Sequence, residues 1–398
     1  MHMHSDRDVV FTGAVRTAIG GFGGSLAGVP PTELGARVIG EAVGRSGIEP
    51  GNVEHVIFGQ VIHTEPRDMY LARVAAMGAA IPKEVPAMTL NRLCGSGLQA
   101  IVSAAQMIML GDADIVVAGG AESMSRAPFA VSDARFGKRL GNIAMIDMLT
   151  SALTDPFGNG HMGVTAENVA ADAHISREQQ DALALNSHRR AARALEEGRF
   201  CDQILPIEVT VGREKRQFTR DEQVRADASA VNLAKLRPVF REGGTVTAGN
   251  ASGINDGAAA LTLMARSAAI GRNCRPLGRL VAYAHAGVDP SRMGMGPVPA
   301  VKAALSKAGL AVSQMDVVES NEAFAAQACA VARALDLPDD RTNPNGGAIA
   351  LGHPVGATGA IIMVKLLYEL QRSGGRYGLA TMCIGGGQGM AIVVEREA

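Results

Sequence analysis

Apolar residues along this chain fall into helical stripes and short runs that alternate. From Leu34 they recur at Val38, Ile39, Ala42 and Val43, the spacing of one helix face. Gly47 follows as a natural left-handed stop. After Ile48 and a short linker comes the β-like run Val56-Ile57-Phe58. The succession returns 262 residues later: Val298, Val301, Leu305 and Ala308 form a stripe, Gly309 ends it, Leu310 follows, and Val317-Val318 is the run. The same offset aligns Cys94-Gly95-Ser96-Gly97 with Gly356-Ala357-Thr358-Gly359. Each precedes a helical segment (98–110, 360–370) and then a strand (115–118, 379–382). The chain therefore reads as one pattern used twice.

Strands alternating with helices predict a layered α/β fold, and two copies predict two similar halves packed together. Residues 124–254 have no counterpart at this offset. They hold a polar helical stretch, 176–197, and an arginine-rich section, 213–225. A lid or substrate-binding domain grafted on the scaffold is the expectation.

Composition narrows the function. Charged residues make up 19% of the chain, below the usual ~25%, so a large core is expected. The 38 Lys and Arg against 39 Asp and Glu argue against a general nucleic-acid binder. No continuous apolar run approaches the ~18 residues of a membrane span, so no membrane partner is expected. The 48 glycines mark turns and close approaches. The five cysteines, Cys94, Cys201, Cys274, Cys329 and Cys383, are far apart with no C-x-x-C pair. This predicts free thiols and neither a disulfide framework nor a metal site. Residues Met1 to Asp8 lack the apolar core of a signal peptide, and Glu395-Arg396-Glu397-Ala398 is not a peroxisomal address. A cytoplasmic location is the expectation.

Four places could carry chemistry. Cys94, in Asn91-Arg92-Leu93-Cys94-Gly95-Ser96-Gly97, precedes a helix whose free N–H groups favour a thiolate; the plainer reading is a buried structural cysteine. His353, in Gly352-His353-Pro354-Val355-Gly356, lies just before the second copy's helix. If a two-fold relates the halves, it can face Cys94 as a base; otherwise it is a core histidine. Cys383 opens Cys383-Ile384-Gly385-Gly386-Gly387-Gln388-Gly389 at a strand end. Its glycines either free N–H groups for an oxyanion or only make a tight turn. Asn321-Glu322 follows the strand at Val317-Val318, as a site at a sheet edge or as a helix cap.

Together these blocks closely resemble the thiolase family, the acetyl-CoA acetyltransferases and β-ketothiolases. The resemblance covers nearly the whole chain, including Gly244-Thr245-Val246-Thr247-Ala248-Gly249-Asn250-Ala251-Ser252-Gly253. It implies two βαβαβαββ halves in a five-layered α-β-α-β-α arrangement with an inserted loop domain. The division would be 1–123 (completed by 255–275), a CoA-binding and tetramerisation insert at 124–254, and 276–398. It implies interconversion of two acyl-CoA molecules with β-ketoacyl-CoA plus CoA, with no tightly bound cofactor. By resemblance, Cys94 is the nucleophile, His353 takes its proton, and Cys383 moves the α-proton. His353 and a water held by Asn321 would stabilise the enolate, and the N–H groups of Cys94 and Gly385 the tetrahedral intermediates. Arg225, Ala248, Ser252 and Leu153 would line the CoA site, and His161, Met162, Ala323 and Phe324 the acyl pocket. Read without the family, Arg225 is a solvated charge and His161-Met162 plain core packing.

The stretches Glu65-Pro66-Arg67-Asp68-Met69-Tyr70-Leu71 and Asp155-Pro156-Phe157 resemble β-ketothiolases that take acyl groups longer than acetyl. Residues 125–149 resemble the loop of tetrameric members, so a homotetramer is expected. The alternatives are a degradative 3-ketoacyl-CoA thiolase of broader range, a β-ketoacyl synthase, and a silent acyl-CoA carrier. The motif Cys383-x-Gly385-Gly386-Gly387-x-Gly389 argues against the synthase, and the full set of site residues against the carrier.

Overall fold

The repeat read from the sequence recurs in the elements themselves. The computed structural model describes residues 5–397; Met1 to His4 and Ala398, part of the terminal segments discussed above, lie outside the described residues. In the first half β1 (Val9–Thr17), α1 (Pro31–Arg45), β2 (His55–Gly59), α2 (Leu71–Gly78), β3 (Ala87–Leu90), α3 (Ser96–Leu110) and β4 (Ile115–Ser123) follow in order. An insert carries α4 (Met162–Asp172) and α5 (Arg177–Glu196), and β5 (Asn255–Ala265) closes the half. The second half has β6 (Gly278–Gly287), α6 (Pro297–Ala308), β7 (Val317–Ser320), α7 (Ala325–Leu335), the short α8 (Ala348–Leu351), α9 (Thr358–Ser373), β8 (Tyr377–Ile384) and β9 (Gln388–Arg396). Helices α3 and α9 begin 262 residues apart, and so do strands β4 and β8. Both helices start two residues before the apolar stripes that announce them.

Strand order runs β7-β8-β9-β6-β1-β5-β4-β2-β3. Within each half the pattern is the same: β1/β5 and β5/β4 are antiparallel with β4/β2 parallel, as β6/β9 and β9/β8 are antiparallel with β8/β7 parallel. The two sheets meet edge to edge at β1 and β6, through the pairs Val10↔Arg279 and Phe11↔Gly278. Helix α1 covers one face of the first sheet and α6 one face of the second, while α3 and α9 pack on each other. Helix α9 touches strands of both halves. This is the five-layered arrangement, with α3 and α9 as its middle layer.

Burial explains the glycine stop at each stripe. Leu34, Val38, Ile39, Ala42 and Val43 all sit in the core, and Gly47 (φ 71°) and Gly309 (φ 66°) turn the chain left-handed after their helices. The membrane expectation needs one correction. The window Leu93–Leu110, which contains α3, is by length and composition apolar enough to cross a membrane; scattered Ser and Gln break its run without lowering its average. It serves instead as the inner helix between two sheets.

At the middle layer the helices cross where neither carries a side chain. A Cβ on Gly97 would lie 2.5 Å from the Ala360 nitrogen, and one on Gly359 would lie 2.2 Å from the Leu98 nitrogen. These contacts are mirror images under the 262 offset, so the pseudo-two-fold passes through this crossing. It brings the start of α3 beside the start of α9.

The insert is less apolar. Ser176 caps α5 with a reciprocal Gln179 contact. The arginine-rich section is largely a solvated hairpin, Ile207–Val211 against Glu214–Phe218. Beyond it, Asp221 is buried against Arg16 at 2.7 Å.

Candidate active site

Cys94 stands on a sharp turn into α3. Leu93 before it adopts φ 47°, a left-handed conformation that costs a residue with a Cβ ~1–2 kcal/mol. The surroundings hold it there. Asn91 Oδ1 accepts the Leu93 N–H at 2.8 Å, Ser96 Oγ accepts the Arg92 N–H at 2.9 Å, and the Ser96 hydroxyl donates to the Leu93 carbonyl at 2.7 Å. Backbone hydrogen bonding from the Gly385 and Cys94 N–H groups favours the Cys94 anion. Burial nevertheless dominates and pushes the Cys94 thiol up. The helix start lowers the cost of the anion, as the sequence suggests, but desolvation outweighs it.

Cys383 ends β8 and is buried. Burial, and the neighbouring Cys94, push it well above the ordinary thiol range. The turn to β9 needs its glycines unequally. Gly386 (φ 78°) and Gly387 (φ 83°) are left-handed. At Gly385 a Cβ would meet Met162 Cε at 3.0 Å and Leu93 Cδ1 at 3.3 Å, so Gly385 is small to leave room.

His353 is buried, and burial pushes it down to about 4. Its hydrogen bonds set the tautomer. The Thr358 hydroxyl donates to the Pro354 carbonyl at 2.8 Å, so at 2.7 Å from His353 Nδ1 it serves as acceptor. Nδ1 then carries the proton and Nε2 a lone pair. Asn321 Nδ2 donates toward that Nε2 at 3.5 Å. Asn321 is not a helix cap: α7 starts only at Ala325, behind Phe324. Its backbone is held by N–H donation to the Thr381 carbonyl at 3.0 Å.

Beside Cys383 lies an apolar wall of Met162, Val246, Ala251, Ala323 and Phe324. His161 stacks on Phe240 with ring centroids 4.7 Å apart, and Phe240 meets Phe324 edge-on at 6.1 Å. Leu153 is tied in by its carbonyl, which accepts the Met162 N–H at 2.8 Å. Ser252 donates its N–H to the Ala323 carbonyl at 3.0 Å, so the 250–252 segment runs along Ala323-Phe324. Arg225 and Ala248 line a separate open cleft with His188, Ser229, Asn232 and Leu233.

Residues 9–267 match the family description "Thiolase, N-terminal domain" and residues 274–396 match "Thiolase, C-terminal domain". The chain belongs to the thiolase family. A protein named beta-ketothiolase BktB from Cupriavidus necator is 60% identical, covering 98% of this chain and 99% of its own. An acetyl-CoA acetyltransferase from Chromobacterium violaceum is 52% identical, over 98% of this chain and 100% of its own. Among solved structures, the Bacillus anthracis acetyl-CoA acetyltransferase superposes with a TM-score of 0.96 at 47% identity, covering 98% and 99% of the two chains. Human mitochondrial 3-ketoacyl-CoA thiolase in complex with CoA gives 0.96 at 46% identity, covering all of both. This thiolase is an acyltransferase, and acyl-CoA and CoA are its substrates.

The fold of this thiolase brings Cys94, Gly385, Cys383, His353 and Asn321 to the junction of its halves, with Met162, Ala323 and Phe324 as the adjoining wall. Arg225 and Ala248 lie further out, in the cleft. Sequence reading missed Phe240, which carries the His161 stack, and Thr358, which sets the His353 tautomer. Thr358 had a signal: it is the counterpart of Ser96 at the 262 offset, and both hydroxyls bind back into the turn before their helix. Phe240 had none, lying in an irregular stretch of the insert.

Proposed function

We propose that this thiolase interconverts short acyl-CoA pairs with β-ketoacyl-CoA through an acyl group carried on Cys94. In the cleavage direction His353 Nε2 takes the Cys94 proton, and the thiolate attacks the keto carbon of the β-ketoacyl-CoA. The Cα–Cβ bond breaks, leaving the acyl group on Cys94, and Cys383 protonates the departing carbanion to give acetyl-CoA. Free CoA then gives its proton to the Cys383 thiolate and attacks the thioester, and His353 returns its proton to Cys94 as acyl-CoA leaves. The observation that carries this reading is the crossing of α3 and α9 at Gly97 and Gly359, which sets the Cys94 turn beside the His353 segment. The Gly385 and Cys94 N–H groups, whose hydrogen bonding favours the Cys94 anion, would serve the oxygen forming on the attached carbon, and loss of such a donor costs ~100-fold or more. His353 is unprotonated at neutral pH, so its Nε2 lone pair is open to the Cys94 proton during the reaction. The Asn321 amide beside Nε2 supports a part in holding the enolate oxygen.

The insert cleft with Arg225 suits the phosphates of CoA, and the stack of His161, Phe240 and Phe324 suits the pantetheine and acyl chain. Room for acyl groups beyond acetyl is part of the proposal. The Phe157 ring lies beside Gly386, and Asp155 pins its loop by accepting the Phe157 and Asn159 N–H groups. Thiolysis of 3-ketovaleryl-CoA alongside acetoacetyl-CoA tests this; both should be cleaved, and complete refusal of the five-carbon substrate refutes the extended range. Exposed Phe129, Phe136, Leu140 and Met145 support tetramer formation through the 125–149 segment, and a dimer mass in light scattering would contradict it. The working compartment proposed is the cytoplasm, where the five free thiols stay reduced.

A further inference from the structure

Two side chains of the half that carries Cys94 reach across to the segment that carries His353. Asn255, buried at the start of β5, accepts the His353 N–H on Oδ1 at 2.8 Å. Its amide is oriented by donation to the Gly20 carbonyl at 3.0 Å and to Gln223 Oε1 at 2.8 Å. Glu122, fully buried near the end of β4, accepts the Gly356 N–H at 2.9 Å. The same carboxylate accepts the Val61 N–H at 2.9 Å and the Ile62 N–H at 3.1 Å. Residues 353–356 are thus held at both ends from the opposite half. The fit at Gly356 is close: a Cβ there would lie 2.4 Å from Glu122 Oε2.

The duplication sharpens the point. Gly356 is the counterpart of Cys94 at the 262 offset. In one half the N–H of this position favours the anion of the reactive sulfur. In the other it faces a buried carboxyl group. Glu122 therefore fills, with an internal acid, the place where the second half could have held a reacting group.

Its charge also reaches Cys94, which it pushes up. Asp68 is the other acid acting on Glu122, and all three hydrogen-bond partners of the carboxylate are N–H donors. Burial pushes the Glu122 carboxyl up to about 8, so its charge is present above that pH, where a raised thiol titrates, and fades below it.

We propose that Glu122 is a positioning residue for the thiolase reaction, anchoring the His353 segment to the half that carries Cys94 and setting the electrostatic background of that thiol. The proposal rests on the roles given above to Cys94 and His353. Its test uses full-length wild type, Glu122→Gln and Glu122→Asp. The rate of Cys94 alkylation by iodoacetamide is followed by peptide mass spectrometry from about pH 6 to 10, beside steady-state thiolysis. Glu122→Gln removes the charge and sets an NH₂ against N–H donors. It should lower kcat about 10- to 100-fold and move the alkylation midpoint down by about half a pH unit or more. Glu122→Asp keeps the charge on a shorter arm, so kcat should fall while the midpoint stays near wild type. A folded Glu122→Gln enzyme with unchanged midpoint and kcat overturns the proposal, and so does an equal midpoint shift in both variants. If the Gln variant does not fold, the Asp variant decides, and wild-type kcat there overturns the anchoring role. The alkylation profile needs no substrate. Failure of the acyl-Cys94 reading would show separately, as absence of acetyl transfer to wild-type Cys94.

Discussion

Replacing Gly359 by alanine should damage this enzyme at its centre without touching a reacting group. The new Cβ would stand 2.2 Å from the Leu98 nitrogen. Ordinary contact begins near 3.4 Å, so the two middle helices must part by about 1.2 Å. The obstacle is backbone on a helix packed between two sheets, so no side-chain rotation relieves it. Overpacking of this kind costs about 3 kcal/mol. For a chain of 398 residues that corresponds to a Tm lower by roughly 4 °C. The effect on activity should be larger. Cys94 precedes α3 and His353 precedes α9, so parting the helix starts separates nucleophile from base, and a misplacement of ~1 Å costs ~100-fold in rate. Calorimetry and thiolysis kinetics measure both. Gly44→Ala is the control: it lies exposed in α1 with nothing within 4 Å of its added Cβ. It should stabilise by about 0.5–1 kcal/mol and leave kcat alone. A Gly359→Ala enzyme with wild-type Tm and kcat would refute the reasoning.

Burial lowers His353 to about 4, so its neutral, proton-accepting form persists as pH falls. The kcat/KM profile should show no acid limb from His353 between pH 8 and about 5, and an inflection near the ordinary ~6.5 would contradict this. Lys365 and Glu319 form a buried pair at 2.6 Å. Lys365→Met leaves the carboxylate without its cation and should cost about 3–5 kcal/mol in denaturant unfolding, with most of it recovered on adding Glu319→Gln. No recovery in the double variant would count against the pair as the cause. Arg225→Ala, in the exposed cleft, should raise KM for CoA about 5-fold with kcat unchanged; an equal fall in kcat would place Arg225 in the chemistry instead.

The duplication was legible because both halves must build the same sheet and helix, and the helix stops must be glycine. The reactive cysteines and the histidine were legible because glycines crowd around them, and those glycines have physical causes. Gly97 and Gly359 admit the helix crossing, Gly385 clears Met162, and Gly356 clears Glu122. The protonation states were not legible. A helix start favours a thiolate, but the burial that opposes it comes from the opposite half, including Ile384 and Met390 packed against Gly95. Glu122 and Asn255 were missed because their partners are backbone N–H groups distant in sequence, which no local spacing reveals. Leu93 was missed for a related reason. Its left-handed conformation is imposed by Asn91 and Ser96 against its own preference, and a leucine gives no warning of it.

The central claim is that Cys94 carries the acyl group. Intact-protein and peptide mass spectrometry after mixing with acetyl-CoA, beside Cys94→Ala, tests it most directly. An acetyl group on the Cys94 peptide that is discharged by added CoA, and is absent from Cys94→Ala, is the result expected. No adduct on Cys94 while CoA binding is intact, or an adduct that survives in Cys94→Ala, would contradict it.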